Sequence, residues 1–147
     1  MPVLRFSAFE GRPPPSAMSA VGEDALIGLL EGTRILVVED EVVIGADLRD
    51  ALVSAGADVT YARTAQRALK ALDHLDDLDI AVLDVSLGPR DTCEPVANVL
   101  RTRGVPFLLH SGDLDRRGEV IERLGAPVLH KPSRADEVVR RLAAMLG

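Results

Sequence analysis

From residue 34 onward, short apolar runs alternate five times with segments of helical period, and this alternation decides most of what the chain can fold into. The runs are "RILVV" (34–38), "DVTYA" (58–62), "DIAVLD" (79–84), "PFLLHS" (106–111) and "PVLH" (127–130), all of strand length. Between and after them, helices are expected near 42–55, 64–75, 92–103, 114–124 and 133–146. The strands are nearly continuous in apolar residues rather than alternating, so each must be buried on both faces. That is the demand of a parallel sheet covered by crossover helices. Gly56, Gly104 and Gly125 stand just past three of the helices, where a left-handed residue closes the last turn. Thr64 and Ser133 stand where N-caps belong. The fold class is therefore α/β, a doubly wound five-stranded parallel sheet with helices on both faces.

Residues 1–33 do not share this pattern and are assigned to an N-terminal extension, leaving 34–147 as the domain. Three prolines in "GRPPPSAM" (11–18) fix φ and remove donors, so this stretch reads as an extended linker. "EDALIGLLEG" (23–32) suits a short helix over 23–31, with acids in its first turn and Gly32 past its end. Alone such a helix is marginal and has to dock. Met18 offers an alternative start that would leave out 1–17.

Strand ends carry the chemistry. In an open parallel α/β sheet, binding groups collect at the carboxyl ends of the strands. Here the first strand delivers Glu39 and Asp40, the third Asp84, the fourth Ser111 and the fifth Lys131 followed by Pro132. Three acids in one crevice raise one another's pKa unless a cation intervenes. An all-oxygen set of this size suits a hard divalent ion such as Mg2+. A metal and a lysine together would neutralise a phosphoryl group, and Asp84 could then serve as a carboxylate nucleophile. Of 17 basic residues only Lys70 and Lys131 are lysines, which fits a need at 131 for a compact point charge.

Glu39-Asp40, Asp84, Ser111 and Lys131-Pro132, in this order and spacing over residues 34–146, resemble the receiver domain of two-component response regulators. The resemblance implies a flavodoxin-like fold with strand order 2-1-3-4-5. It implies that Asp84 accepts a phosphoryl group from a histidine kinase or histidine phosphotransfer protein. Asp40, Asp84 and the backbone carbonyl of Ser86 would ligate Mg2+, with Glu39 acting through water. Lys131 would pair with the phosphoryl oxygens, Ser111 would move to hydrogen-bond them, and the bond before Pro132 would be cis. The family's Tyr or Phe three residues before the lysine is replaced by Val128, so its aromatic switch is missing. The segment "VSLGPRDTCEPVANVL" and "GVPFLL" resemble receivers of the stand-alone or hybrid-kinase-associated type, although Leu109-His110-Ser111-Gly112 replaces their Phe-Ala-Thr-Gly motif. No output segment follows in the 147 residues. Phosphoryl transfer to its own aspartate and autodephosphorylation would be its only chemistry, short of a conventional enzyme. Downstream signalling would run through protein contacts, and the face of the fourth helix, fifth strand and fifth helix is where a homodimer would form.

Simpler assignments cover other residues. Glu41 opens the first helix rather than binding metal, and Arg116-Arg117 form a solvated face. Ser86 and Asp113 flank the phosphoryl site by analogy and bear on how fast the group is lost. His110 and His130 precede Ser111 and Lys131, so strand alternation directs both away from the crevice, as core histidines that could approach each other. Cys93 is a lone, inert thiol that excludes a disulfide framework and fits a reducing, cytoplasmic compartment. No apolar run approaches the roughly 20 residues of a membrane span. A net charge of −6 with no basic stripe, and 3% aromatics, disfavour nucleic-acid binding. The same scarcity of aromatics disfavours a flavin site, and an aspartate-nucleophile hydrolase would want a second Asp where Ser86 stands. The rival within the family is a binding module acting largely without phosphorylation-driven switching, motivated by Val128.

Overall fold

The computed structural model describes residues 3–6, 26–112 and 114–147, apart from the side chains of residues 5, 6 and 114–117. Six strands, β1 (Leu4–Phe6), β2 (Arg34–Val38), β3 (Asp58–Ala62), β4 (Ile80–Asp84), β5 (Phe107–Ser111) and β6 (Val128–His130), make one sheet. The helices are α1 (Val42–Ser54), α2 (Ala65–Leu72), α3 (Glu94–Thr102), α4 (Leu114–Leu124) and α5 (Ala135–Leu146). The sheet order is β1-β3-β2-β4-β5-β6. The five strands β2 to β6 run parallel, in the order 2-1-3-4-5 when counted from β2.

Alternation along the strands sorts the core into two layers. Ile35, Val37, Ile80, Val82 and Leu108 pack under α1 and α5 with Leu48, Leu52, Val138 and Leu142. Leu36, Val38, Ala81, Leu83, Phe107 and Leu109 pack under α2, α3 and α4 with Leu72, Val96, Leu100 and Leu124. Every residue of β4 and β5 is buried, which is why the sequence holds no polar residue inside β4 before its last position. Thr64 caps α2 by accepting from the Arg67 amide at 3.1 Å. Ser133 does not cap α5: Arg134 is the N-cap, and Glu137 reaches back to its amide at 3.1 Å. The Ser133 hydroxyl is engaged by His110 instead.

The extension departs from its expected role. Leu4–Phe6 adds an antiparallel strand to the sheet edge, pairing Leu4 with Tyr61, Arg5 with Thr60 and Phe6 with Val59. The sheet therefore has a sixth strand beyond the expected five, because β3 offered a free edge that three residues with an apolar pair could fill. The proline stretch 11–18 and residues 23–25 of the expected helix lie outside the described residues. Leu26–Gly32 forms successive turns rather than helix, docked by the Leu30 amide on the Ala55 carbonyl at 2.9 Å and by the buried Leu30 side chain. Gly56 (φ +101°) permits this docking, since a Cβ there would strike the Glu31 backbone. Among the described residues, no helix is long and apolar enough to cross a membrane.

Candidate functional site

At the carboxyl ends of β2 and β4 the apolar strands give way to acids. Glu39 is 1% exposed and Asp84 is 4% exposed, while Asp40 is half-buried. Ligand oxygens of the three carboxylates lie within 4.8 Å of one another. Lys131, from the turn after β6, reaches into this group with a side chain only 11% exposed. Its Nζ lies 3.0 Å from Glu39 Oε2, 3.1 Å from Glu39 Oε1 and 3.4 Å from Asp84 Oδ2. Only the Oε1 contact has hydrogen-bond alignment, so Oε2 meets the ammonium as an ion pair and makes no hydrogen bond. Lys131–Pro132 is a cis peptide, as expected. Ser111 is buried at the end of β5, and its carbonyl accepts the Lys131 amide at 2.7 Å.

One lysine does not balance this charge. Burial first, then the neighbouring Glu39 carboxylate, push the Asp84 carboxyl up to about 9, and Lys131 only partly opposes them. Glu39 is shifted the other way. Burial, its largest influence, would raise it, but the nearby polar groups of His110 and Asp84, the Lys131 hydrogen bond and the Lys131 charge hold it below the ordinary value. Of the two buried acids, Asp84 is thus the one that holds on to its proton. Lys131 is raised: burial would lower it, but Glu39 and Asp84 outweigh the loss of water. Two buried acids served by one lysine form a site that gains from a second cation, and the all-oxygen donor set fits Mg2+.

The turn holding Glu39 and Asp40 is clamped by β3, which sequence reasoning missed. The buried Tyr61 hydroxyl donates to the Glu39 carbonyl at 3.0 Å, and Arg63 Nη2 donates to the Asp40 carbonyl at 3.2 Å. Gly45 makes room for the phenol, since a Cβ at 45 would collide with it. Burial, with the Glu39 and Asp40 charges, raises the Tyr61 hydroxyl pKa, so it stays a donor. A lone tyrosine at the end of a strand next to the acids was the available signal. Glu41 takes the N-cap of α1, without a side-chain cap bond, and its Oε1 lies 3.9 Å from Lys131 Nζ. Ser86 donates its amide to Asp84 Oδ1 at 3.3 Å, at the start of the loop closed by the Ser86–Thr92 bridge.

His110 does not point away from the site. Counting along the sheet, Glu39, Asp84, His110 and Lys131 fall on the α1–α5 face, and Ser111 on the other. The crevice straddles the strand ends and draws on both faces, so alternation between Ser111 and His110 excludes neither. His110 is 2% exposed, with Nδ1 3.9 Å from Glu39 Oε2 and Nε2 2.7 Å from Ser133 Oγ. His130 lies exposed on the opposite face of an edge strand, so the two imidazoles form no buried pair. Val128, where an aromatic was missed, is half-buried and packs into the α2–α4 layer. Cys93, at the N-cap of α3, is buried, and burial together with the Asp84 charge pushes its thiol up to about 12, which leaves it unreactive. Asp113 and the side chains of Arg116 and Arg117 lie outside the described residues. A cavity of about 120 Å³ lined by Arg34, Asp58, His74 and Asp77 sits at the amino ends of β2 and β3, remote from the acids.

No protein-family model matches the chain. The transcriptional regulatory protein TcrA of Mycobacterium tuberculosis is 36% identical over 131 residues, covering 84% of this chain and 50% of TcrA. An uncharacterised transcriptional regulatory protein of Bacillus subtilis, YrkP, is 32% identical over 116 residues, 77% of this chain and 49% of YrkP. The chain thus spans about half the length of the curated relatives it matches. Among solved structures, the non-phosphorylated HemR receiver domain of Leptospira biflexa is 27% identical with a TM-score of 0.66, over 78% of this chain and 94% of HemR's.

Proposed function

Since this chain belongs to the receiver domains of the response regulators, we propose that residues 34–147 take a phosphoryl group onto Asp84 in a Mg2+-dependent reaction. The donor is the phosphohistidine of a histidine kinase or a histidine phosphotransfer protein. The observation that carries this reading is the reach of Lys131 to both Glu39 (3.0 Å) and Asp84 (3.4 Å) inside a group of three acids.

The chemistry follows from that arrangement. Asp84 attacks only as a carboxylate, so the proton that burial and the Glu39 charge keep on it leaves first. Its oxygen then bonds to phosphorus as the phosphorus–nitrogen bond of the donor breaks, the electron pair departing with the imidazole. Lys131 pairs with a phosphoryl oxygen, and the Ser111 hydroxyl donates to another. Asp40, Asp84 and the Ser86 carbonyl would hold Mg2+, and Glu39 would act on it through water. When bound, the ion supplies positive charge against the acids and the incoming phosphoryl oxygens. Tyr61 and Arg63 fix the turn that presents Asp40. The phosphorylated domain signals through protein contacts in the cytoplasm, with the surface of α4, β6 and α5 available for homodimerisation.

The test is incubation with a small phosphodonor and Mg2+, followed by mass spectrometry. One added phosphoryl group on the wild type and none on Asp84→Asn is expected; an unmodified wild type under several donors contradicts the mechanism. Val128 favours a second reading, a binding module in which phosphorylation changes partner affinity little, because a half-buried valine cannot swing as an aromatic does. Equal partner affinity for wild type and Asp84→Asn, with and without phosphodonor, would select it.

A further inference from the structure

Lys131 is carried by an edge strand of three residues, none of them fully buried, yet its ammonium sits within hydrogen-bond reach of a carboxylate that is 1% exposed. Something other than core packing must hold the 131–133 turn against the site. The Lys131 amide is tied to the Ser111 carbonyl at 2.7 Å. Two residues further on, Ser133 Oγ lies 2.7 Å from His110 Nε2. The other ring nitrogen, Nδ1, is buried, has no hydrogen-bond partner, and faces Glu39 Oε2 at 3.9 Å. A buried carboxylate oxygen opposite a ring nitrogen calls for a hydrogen on that nitrogen, since two lone pairs would repel. The remaining nitrogen then accepts from the Ser133 hydroxyl, which can rotate to donate. Ser133 is free for this because Arg134, not Ser133, caps α5.

We propose that His110 is a positioning residue of the phosphoacceptor site: carrying hydrogen on Nδ1 toward Glu39 and accepting from Ser133 at Nε2, it ties the turn bearing Lys131 to the carboxylate that Lys131 holds. The imidazole touches neither the phosphoryl group nor Asp84. It acts through Glu39 and Lys131, keeping the ammonium between the two acids. This inference rests on the phosphoacceptor reading for its consequence, though not for its geometry.

Two measurements test it. In the metal-free full chain, nitrogen NMR of the His110 ring reads which nitrogen bears hydrogen; hydrogen on Nδ1 is expected, and an Nδ1 without hydrogen overturns the proposal. A double-mutant cycle then reads coupling, in Mg2+ affinity by calorimetry and in phosphorylation rate with a small phosphodonor. Losing one hydrogen bond is worth about a fivefold change, so His110→Val and Ser133→Ala should each weaken both by roughly fivefold. The double variant should be no worse than either single one, and His110→Gln, which keeps a polar group for Ser133 but no ring nitrogen toward Glu39, should fall between His110→Val and wild type. Singles that multiply to about twenty-five-fold, or a His110→Gln equal either to His110→Val or to wild type, would refute the tie. A wild type that takes no phosphoryl group would instead refute the function of the site, leaving the ring NMR and the Mg2+ cycle to judge His110.

Discussion

Strands β4 and β6 each deliver one ionisable residue to the same crevice, and they hold it by opposite means. All five residues of β4 are buried, so Asp84 is fixed by the core on both faces of the sheet. No residue of β6 is fully buried, and Lys131 is fixed by polar ties: its amide on Ser111, its ammonium on Glu39, and Ser133 on His110. The acid is therefore placed by packing and is costly to move, whereas the lysine is placed by directional bonds and can be redirected by chemistry. Such a division suits a site in which one group stays put and the other has to change partners when charge arrives.

The sharpest way to break this comparison is to hollow out one strand and then the other. Leu83→Ala should cost about 2–5 kcal/mol in denaturant unfolding, because a fully buried leucine leaves a cavity. Val128→Ala, half-exposed on β6, should cost about 1 kcal/mol or less. Equal losses would remove the distinction between the strands. Next in size is Lys131→Ala, which should destabilise the metal-free protein by about 3 kcal/mol by leaving the buried Glu39 charge without its counter-ion. A neutral result would mean that the polar ties on β6 carry no weight. A pH-dependent handle is Asp84→Asn. Folding raises this carboxyl to about 9, so the folded chain keeps a proton that the unfolded chain has released above roughly pH 4. Stability of the metal-free wild type should accordingly fall as pH rises from about 4 toward 9, and Asp84→Asn should flatten that slope and be the more stable protein at pH 8. Unfolding curves across that range read the sign directly.

How much of this was legible in the residues follows the same division. Whatever depends on period and on strand ends could be read: the five parallel strands, the five helices to within three residues at each end, and the convergence of Glu39, Asp40, Asp84 and Lys131. Whatever depends on which polar side chain meets which across the sheet could not. Ser133 looks like an N-cap by its neighbours alone, and only the approach of His110 shows that its hydroxyl is spent elsewhere. His110 was misassigned because alternation was measured from Ser111, although Glu39 and Asp84 share the parity of His110. Tyr61 reads as one more apolar strand residue until the Glu39 carbonyl appears at its hydroxyl. Strand β1 escaped notice because three residues carry too little pattern, and its pairing is decided by the open edge of β3.

The central claim is that the acids at the ends of β2 and β4 form a site completed by a cation, which frees Asp84 to act. Calorimetric titration with Mg2+ near pH 7.5, in two buffers of different protonation heat, tests it most directly. With Asp84 at about 9, the wild type should release close to one proton per ion bound, and Asp84→Asn should bind more weakly and release almost none. Binding without proton release and with equal affinity in the two proteins would contradict the account.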